Sequence, residues 1–205
     1  MRRDSHAEGT DDPYAAAMTS DLDPVVRRVP ARVGLVGNPS DGYGGAVLAT
    51  VVPGMAAVVR AAAADHVAIG DDHWASMAAW LEHVVADGHG EHHRIISAAV
   101  WSLVDHLDHT GGGVELGWTT DIPRSVGLAG SSALAVGVVD AVATAWAVEL
   151  DRRVVAALAL RAERDVLGIA AGWQDRIVQA YGRTVLVDAG TMDHVDGVDV
   201  PMVRT

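Results

Sequence analysis

The stretch from Gly127 to Val148, GLAGSSALAVGVVDAVATAWAV, constrains this chain more than any other. Two glycines and two serines stand directly ahead of a run, Ala133 to Val148, whose only charge is Asp140. A helix this apolar has no polar face to turn toward water, so other elements must cover most of its surface. It is also too short for a membrane span, which takes about 20 apolar residues. The chain therefore builds around a buried helix, and half of its residues are apolar, enough for a core.

The loop ahead of that helix has two readings. A helix start can hold an anion through its backbone N–H groups and the positive end of its dipole. Gly127 and Gly130 let the backbone approach a phosphate with no Cβ in the way. Ser131 and Ser132 can cap the helix, bond phosphate oxygens, or offer a hydroxyl to magnesium. The bland reading, a serine cap on a core helix, fits these residues equally well. A Walker-type loop is excluded, because it needs a lysine and all 15 basic residues are arginine.

Charge and composition narrow the classes further. A formal charge of −12 leaves no basic stripe to neutralise phosphates, which argues against a nucleic-acid partner. The absence of cysteine excludes disulfides and thiolate metal sites. The opening MRRDSH has no apolar segment behind it, so no secretory signal is expected. The expectation is a soluble, cytoplasmic chain with no membrane partner.

Periodicity and turn residues predict an α+β order, strands first and helices mostly later. Residues 1–28 read as a disordered acidic leader, and 29–205 as one domain. ARVGLVG (31–37) reads as a strand and NPSDGYGG (38–45) as a loop. AVLATVV and MAAVVRAAA, on either side of Pro53–Gly54, read as the two strands of a hairpin, with HVAIG (66–70) a further short strand. Helices are expected at 71–86, 91–107, 131–148, 152–167 and 172–181. GGGVELGWTTD supplies a strand between the second and third, and TVLVDAG (184–190) supplies the last strand.

Two more constellations carry chemistry. In AERDVLGIAAGWQDRIVQAYG (162–182), Glu163 stands near a helix end and Asp175 starts the next helix. Two carboxylates so placed can hold a metal and orient a hydroxyl. The bland alternative is two solvated charges flanked by Arg164 and Arg176. In RVGLVGNPSDGYGG (32–45), a strand delivers short polar side chains to a loop tip, as a sugar site requires, although it is also simply a good turn.

Taken together and in this order, the three segments resemble the GHMP family of small-molecule kinases. PRSVGLAGSSA is similar to that family's central phosphate loop, Pro-x-x-x-Gly-Leu-x-x-Ser-Ser, and RVGLVGNPSDGYGG to its first motif. Gly-Asn-Pro-Ser-Asp and Gly-x-Gln-Asp-Arg resemble the glucuronokinase branch. The resemblance covers about residues 30–190. It implies an N-terminal GHMP domain, a βαβ-containing mixed sheet with helices packed on one side, that transfers a phosphoryl group from ATP, with Mg²⁺, to a sugar or uronic acid hydroxyl.

Residue by residue, the resemblance assigns Pro123, Gly127, Leu128, Ala129, Gly130, Ser131, Ser132 and Ala133 to the ATP phosphates. Ser131 or Ser132 would meet the metal together with Glu163. Asp175 matches the aspartate beside the acceptor hydroxyl, and Arg32 falls where many relatives carry an arginine. Asp41 would hold substrate hydroxyls, with Asn38, Ser40 and Tyr43 on the same loop; apart from the resemblance, Trp173 beside Asp175 is expected to line the sugar pocket and Arg124 to meet a substrate carboxylate. The chain departs from the family in two places. Arg183 follows Tyr181-Gly182 where a second glycine is usual, and the third glycine-rich motif of the C-terminal domain is missing. That absence implies a truncated domain, self-association, a second polypeptide supplying the missing part, or a module that binds without catalysing.

Other features read as structural. DGHGEHH (87–93) and DHLDH (105–109) hint at metal sites, but His92 and His93 are adjacent and diverge on a helix, while His106 and His109 share a face. The tryptophans other than Trp173 read as core filler in a chain without phenylalanine.

Overall fold

The computed structural model describes residues 23–205 except His92 and Thr110. The expected leader therefore lies outside the described residues up to Leu22, but its last residues are ordered: strand β1 begins at Val25 and runs to Val36. Pairing along β2 (Ala46–Ala64) satisfies its backbone. Its arginines do not prevent this, since Arg27 reaches Asp140 at 2.7 Å.

β2 is the centre of the sheet, and it corrects the hairpin expected at Pro53–Gly54. The strand continues straight through that dipeptide. Pro30 pairs with Ala56 and Ala31 with Val52, so residues 53–55 are extra on β2 and form a bulge. Pro53 sits where it interrupts no ladder bond, and Gly54, at φ 91°, absorbs the bend. The two halves of β2 then serve different partners. Residues 57–64 pair with β5 (Gly113–Thr120) and residues 46–49 with β6 (Val185–Val195).

The sheet has seven strands, mostly antiparallel. β3 (Val67–Ile69) runs parallel to β5, and the connection between them contains β4 (Asp72–Trp74), α1 (Met77–Asp87) and α2 (Arg94–Leu107). Helix α1 starts later than the periodicity predicts. Residues 72–74 pair back onto β3, and the Ser76 hydroxyl then accepts the Ala79 N–H at 3.2 Å. At the far edge, β6 outruns its expected end. It turns at Asp196-Gly197, both at positive φ, into β7 (Val198–Arg204), a strand beyond the one expected to be last.

α3 (Gly130–Ala145) is the buried helix that the apolar run demands, and it lies against β1 and β2. Gly137 permits the approach, because a Cβ there would stand 2.8 Å from Val59 Cγ2 and 3.3 Å from Val29 Cγ2. α1, α2 and α4 (Arg152–Arg161) complete the main core around it. A smaller cluster under α4 and α5 (Trp173–Tyr181) joins Ala156, Ile177 and Val178 to Val47, Ala49, Val185 and Val187. The tryptophans follow the structural reading: Trp80 is buried, and Trp74, Trp101, Trp118 and Trp146 pack against the main core. The histidines do likewise. His93 meets Trp118 edge-on and His109 stacks on Trp146, while His92 lies outside the described residues.

Candidate active site

The loop ahead of α3 is held in an uncommon backbone conformation. Ser125, Gly127 and Ala129 have φ of 60°, 76° and 58°. For Ser125 and Ala129, left-handed backbone costs about 1–2 kcal/mol each, a strain that surrounding contacts must offset. One such contact is Gln179, whose amide donates to the Ala129 carbonyl at 2.9 Å and the Pro30 carbonyl at 3.2 Å. Ala129 takes the cap position, and no side chain caps the first turn. The serines are therefore not caps, and the first backbone N–H groups of α3 stay available to a ligand.

The serine hydroxyls go to Glu163 instead. Ser131 Oγ donates to Oε1 at 2.9 Å and Ser132 Oγ to Oε2 at 3.1 Å. The backbone places Glu163 by an irregularity. α4 widens into a π turn, Ala162–Val166, closed by the Leu167 N–H on the Ala162 carbonyl at 3.2 Å. Such turns mark functional positions, and this one buries Glu163 to 1% exposure. Arg176 answers its charge: Nε donates to Oε2 at 2.6 Å, and Nη2 donates to the same oxygen. The alternative of solvated charges is thus corrected for Glu163, whereas Arg164 turns to Asp165.

Asp175 sits in the first turn of α5 opposite β1. Arg32 Nε donates to Asp175 Oδ1 at 2.5 Å, and Arg32 Nη1 donates to the Gly127 carbonyl at 2.9 Å. One guanidinium thereby ties the carboxylate to the glycine–serine loop. The backbone adds to the tie, since the Arg32 N–H bonds the Leu128 carbonyl at 3.3 Å. On the other side, Asp41 lies in the short 3₁₀ turn Ser40–Tyr43 and accepts the Gln174 N–H at 2.9 Å. A Cβ at Gly172 would overlap the Asp41 carboxylate and displace it.

These groups line one cleft of about 990 Å³. Its wall includes Arg32, Asn38, Asp41, Tyr43, Pro123, Arg124, the loop 127–132, Glu163 and Asp175. Three expected site residues are placed elsewhere. Ser40 Oγ donates to the Ala46 carbonyl and closes its own turn, Ala133 is fully buried on α3, and Trp173 packs on the smaller core cluster. Arg176, Gln174 and Gln179 were missed as site residues. Gln174 and Arg176 lie in the Gly-x-Gln-Asp-Arg motif around Asp175, which gave no role to either, and Gln179 follows one helical turn later; their burial depends on how α5 docks.

The donor set fits magnesium. Two hydroxyls and a carboxylate converge, all hard oxygen donors with no nitrogen or sulfur among them, as Mg²⁺ prefers. Phosphate oxygens would meet the uncapped start of α3 beside them.

The architecture is the one found in solved GHMP kinases, among them a mevalonate kinase and a galactokinase. Residues 94–183 match the family described as GHMP kinases N terminal domain, a span that contains the glycine–serine loop, Glu163 and Asp175. The galactokinase of Lactococcus lactis, solved with galactose, superposes with a TM-score of 0.71 at 17% identity, over 92% of this chain and 50% of that one. Among curated sequences the chain is similar to Glucuronokinase 1 of Arabidopsis thaliana, 28% identical over 84% of this chain and 52% of that protein. It is also similar to the mevalonate kinase of Thermococcus onnurineus, 30% identical over 53% of this chain and 32% of that protein. The chain spans about half the length of the glucuronokinases it matches. Among the described residues no helix is long and apolar enough to cross a membrane.

Proposed function

We propose that this domain supplies the ATP-binding half of a sugar kinase of glucuronokinase type, transferring the γ-phosphoryl of ATP to a sugar hydroxyl. The observation that carries the reading is Arg32, which holds the Gly127 carbonyl with one nitrogen and Asp175 with another. A phosphate loop and an acceptor-side carboxylate on one guanidinium are the two ends of an in-line transfer, where positioning and charge neutralisation do most of the catalysis. Asp175 orients the acceptor hydroxyl, and Arg32 keeps that carboxylate turned toward the loop. The uncapped N–H groups of α3 and the loop backbone receive phosphate oxygens. Mg²⁺ held by Ser131 or Ser132 with Glu163 would neutralise phosphate charge. Asp41, Asn38 and Tyr43 face the sugar, and Arg124, exposed at the cleft wall, meets a uronic acid carboxylate. The likeness to Glucuronokinase 1 supports the uronic acid over a neutral hexose.

The test is a coupled ADP-release assay across uronic acids and hexoses, with Asp175→Asn beside the wild type. The expected result is turnover on a uronic acid, falling about 10²-fold or more in the variant. Equal turnover in both proteins removes Asp175 from its role. A second reading, a domain that binds nucleotide and sugar without catalysing, is favoured by binding of ATP without ADP release.

A further inference from the structure

We propose that Arg176 is a positioning residue that acts as an internal counter-ion, holding Glu163 and keeping divalent cations out of the cleft until nucleotide phosphates arrive. Every carboxylate beside the serines is already matched. Glu163 Oε2 takes two nitrogens of Arg176, whose third nitrogen, Nη1, donates to the Gly172 carbonyl at 2.8 Å and stands 3.6 Å from Asp175 Oδ2. Asp175 is paired with Arg32. Two carboxylates thus face two guanidiniums, and the charges cancel. Arg176 and Glu163 are 4% and 1% exposed at their side chains, so water does little to screen them. Both serine hydroxyls also give their hydrogens to Glu163, which leaves their lone pairs as the only unshared donors of that pair. Among the described residues no group of three or more His, Asp or Glu stands ready for a metal.

A free dication entering this site would meet the Arg176 charge with no surplus of negative charge to offset it. Nucleotide phosphates bring that surplus. Ser131 and Ser132 can then rotate their hydrogens away, while Arg176 keeps Oε2 and leaves Oε1 as the oxygen that no guanidinium claims. The proposal rests on the kinase reading for the nature of the incoming anion, but its test needs no turnover.

The experiment is Mn²⁺ binding to the full chain, followed by electron paramagnetic resonance with and without ADP. Wild type should bind Mn²⁺ weakly alone and at least about tenfold more tightly with ADP. Arg176→Met should bind Mn²⁺ alone at least about tenfold more tightly than wild type, because a buried carboxylate stripped of its partner seeks another cation. Arg176→Lys, which keeps the charge, should stay close to wild type. A purely structural arginine predicts the opposite sign, so unchanged or weaker Mn²⁺ binding in Arg176→Met overturns the proposal. Should Arg176→Met unfold in plain buffer, Mg²⁺ should restore its melting transition, and a variant that stays unfolded with Mg²⁺ also overturns it. If Arg176→Met gains Mn²⁺ affinity while ADP changes nothing in the wild type, the counter-ion stands and the nucleotide reading fails.

Discussion

Replacing Arg32 by methionine keeps an unbranched apolar stem and removes both side-chain contacts, to Asp175 and to the Gly127 carbonyl. The guanidinium and the Asp175 carboxylate are 16% and 19% exposed, so the pair is mostly shielded from water. Breaking a fully buried pair by deleting one partner costs about 3–5 kcal/mol. Two features lower that figure here: the remaining exposure, and Arg176 Nη1, which still lies 3.6 Å from Asp175. Hydrogen bonds to charged groups contribute about 1.5–3 kcal/mol each, so a cost of about 2–3 kcal/mol is expected for Arg32→Met. At about 2–4 °C per kcal/mol for a chain of this size, the melting temperature should fall by about 4–12 °C. Urea unfolding of Arg32→Met, Asp175→Asn and the double variant closes a cycle that isolates the pair. The double variant should cost less than the sum of the singles by at least about 1 kcal/mol. Costs additive within about 0.5 kcal/mol would refute the claim that this arginine holds Asp175.

Two further outcomes are expected. Ser131→Ala with Ser132→Ala should weaken Mg·ATP binding in isothermal titration while the fold survives, since neither hydroxyl caps α3; unchanged affinity would remove the serines from the site. Gly137→Ala should destabilise the chain although alanine gains about 1 kcal/mol of helix propensity, because the added methyl meets Val59 and Val29 and overpacking costs about 1–3 kcal/mol. A stabilised variant would show that α3 stands farther from the sheet than described.

Local patterns were enough to read the strand 31–37, the helices, and the three segments that meet in the cleft. Each of those is written in a contiguous stretch: a hydrophobic period, a glycine–serine loop, a carboxylate beside a glycine turn. The hairpin expected at Pro53–Gly54 failed because a Pro-Gly pair signals a bend without saying whether the chain reverses. Only β1, which pairs with β2 on both sides of the bulge, decides that it does not. The hairpin at Asp196-Gly197 is also written locally, since Asp-Gly between alternating apolar residues is a strong turn signal.

The apolar run 133–148 by itself determined that the chain folds around a buried helix, and the loop ahead of it that small and hydroxyl side chains gather at that helix's start. What those side chains do was decided by the tertiary structure. Ser131 and Ser132 lie more than 30 positions from Glu163, and Arg32 lies 143 positions from Asp175. Nothing local distinguishes a capping serine from one that meets a carboxylate. The π turn after α4 and the docking of α5 on β1 and β2 bring those charges together. A charge placed in a low-dielectric cleft must take whichever partner the packing delivers, which is why Arg176, next to Asp175 in the sequence, is the partner of Glu163.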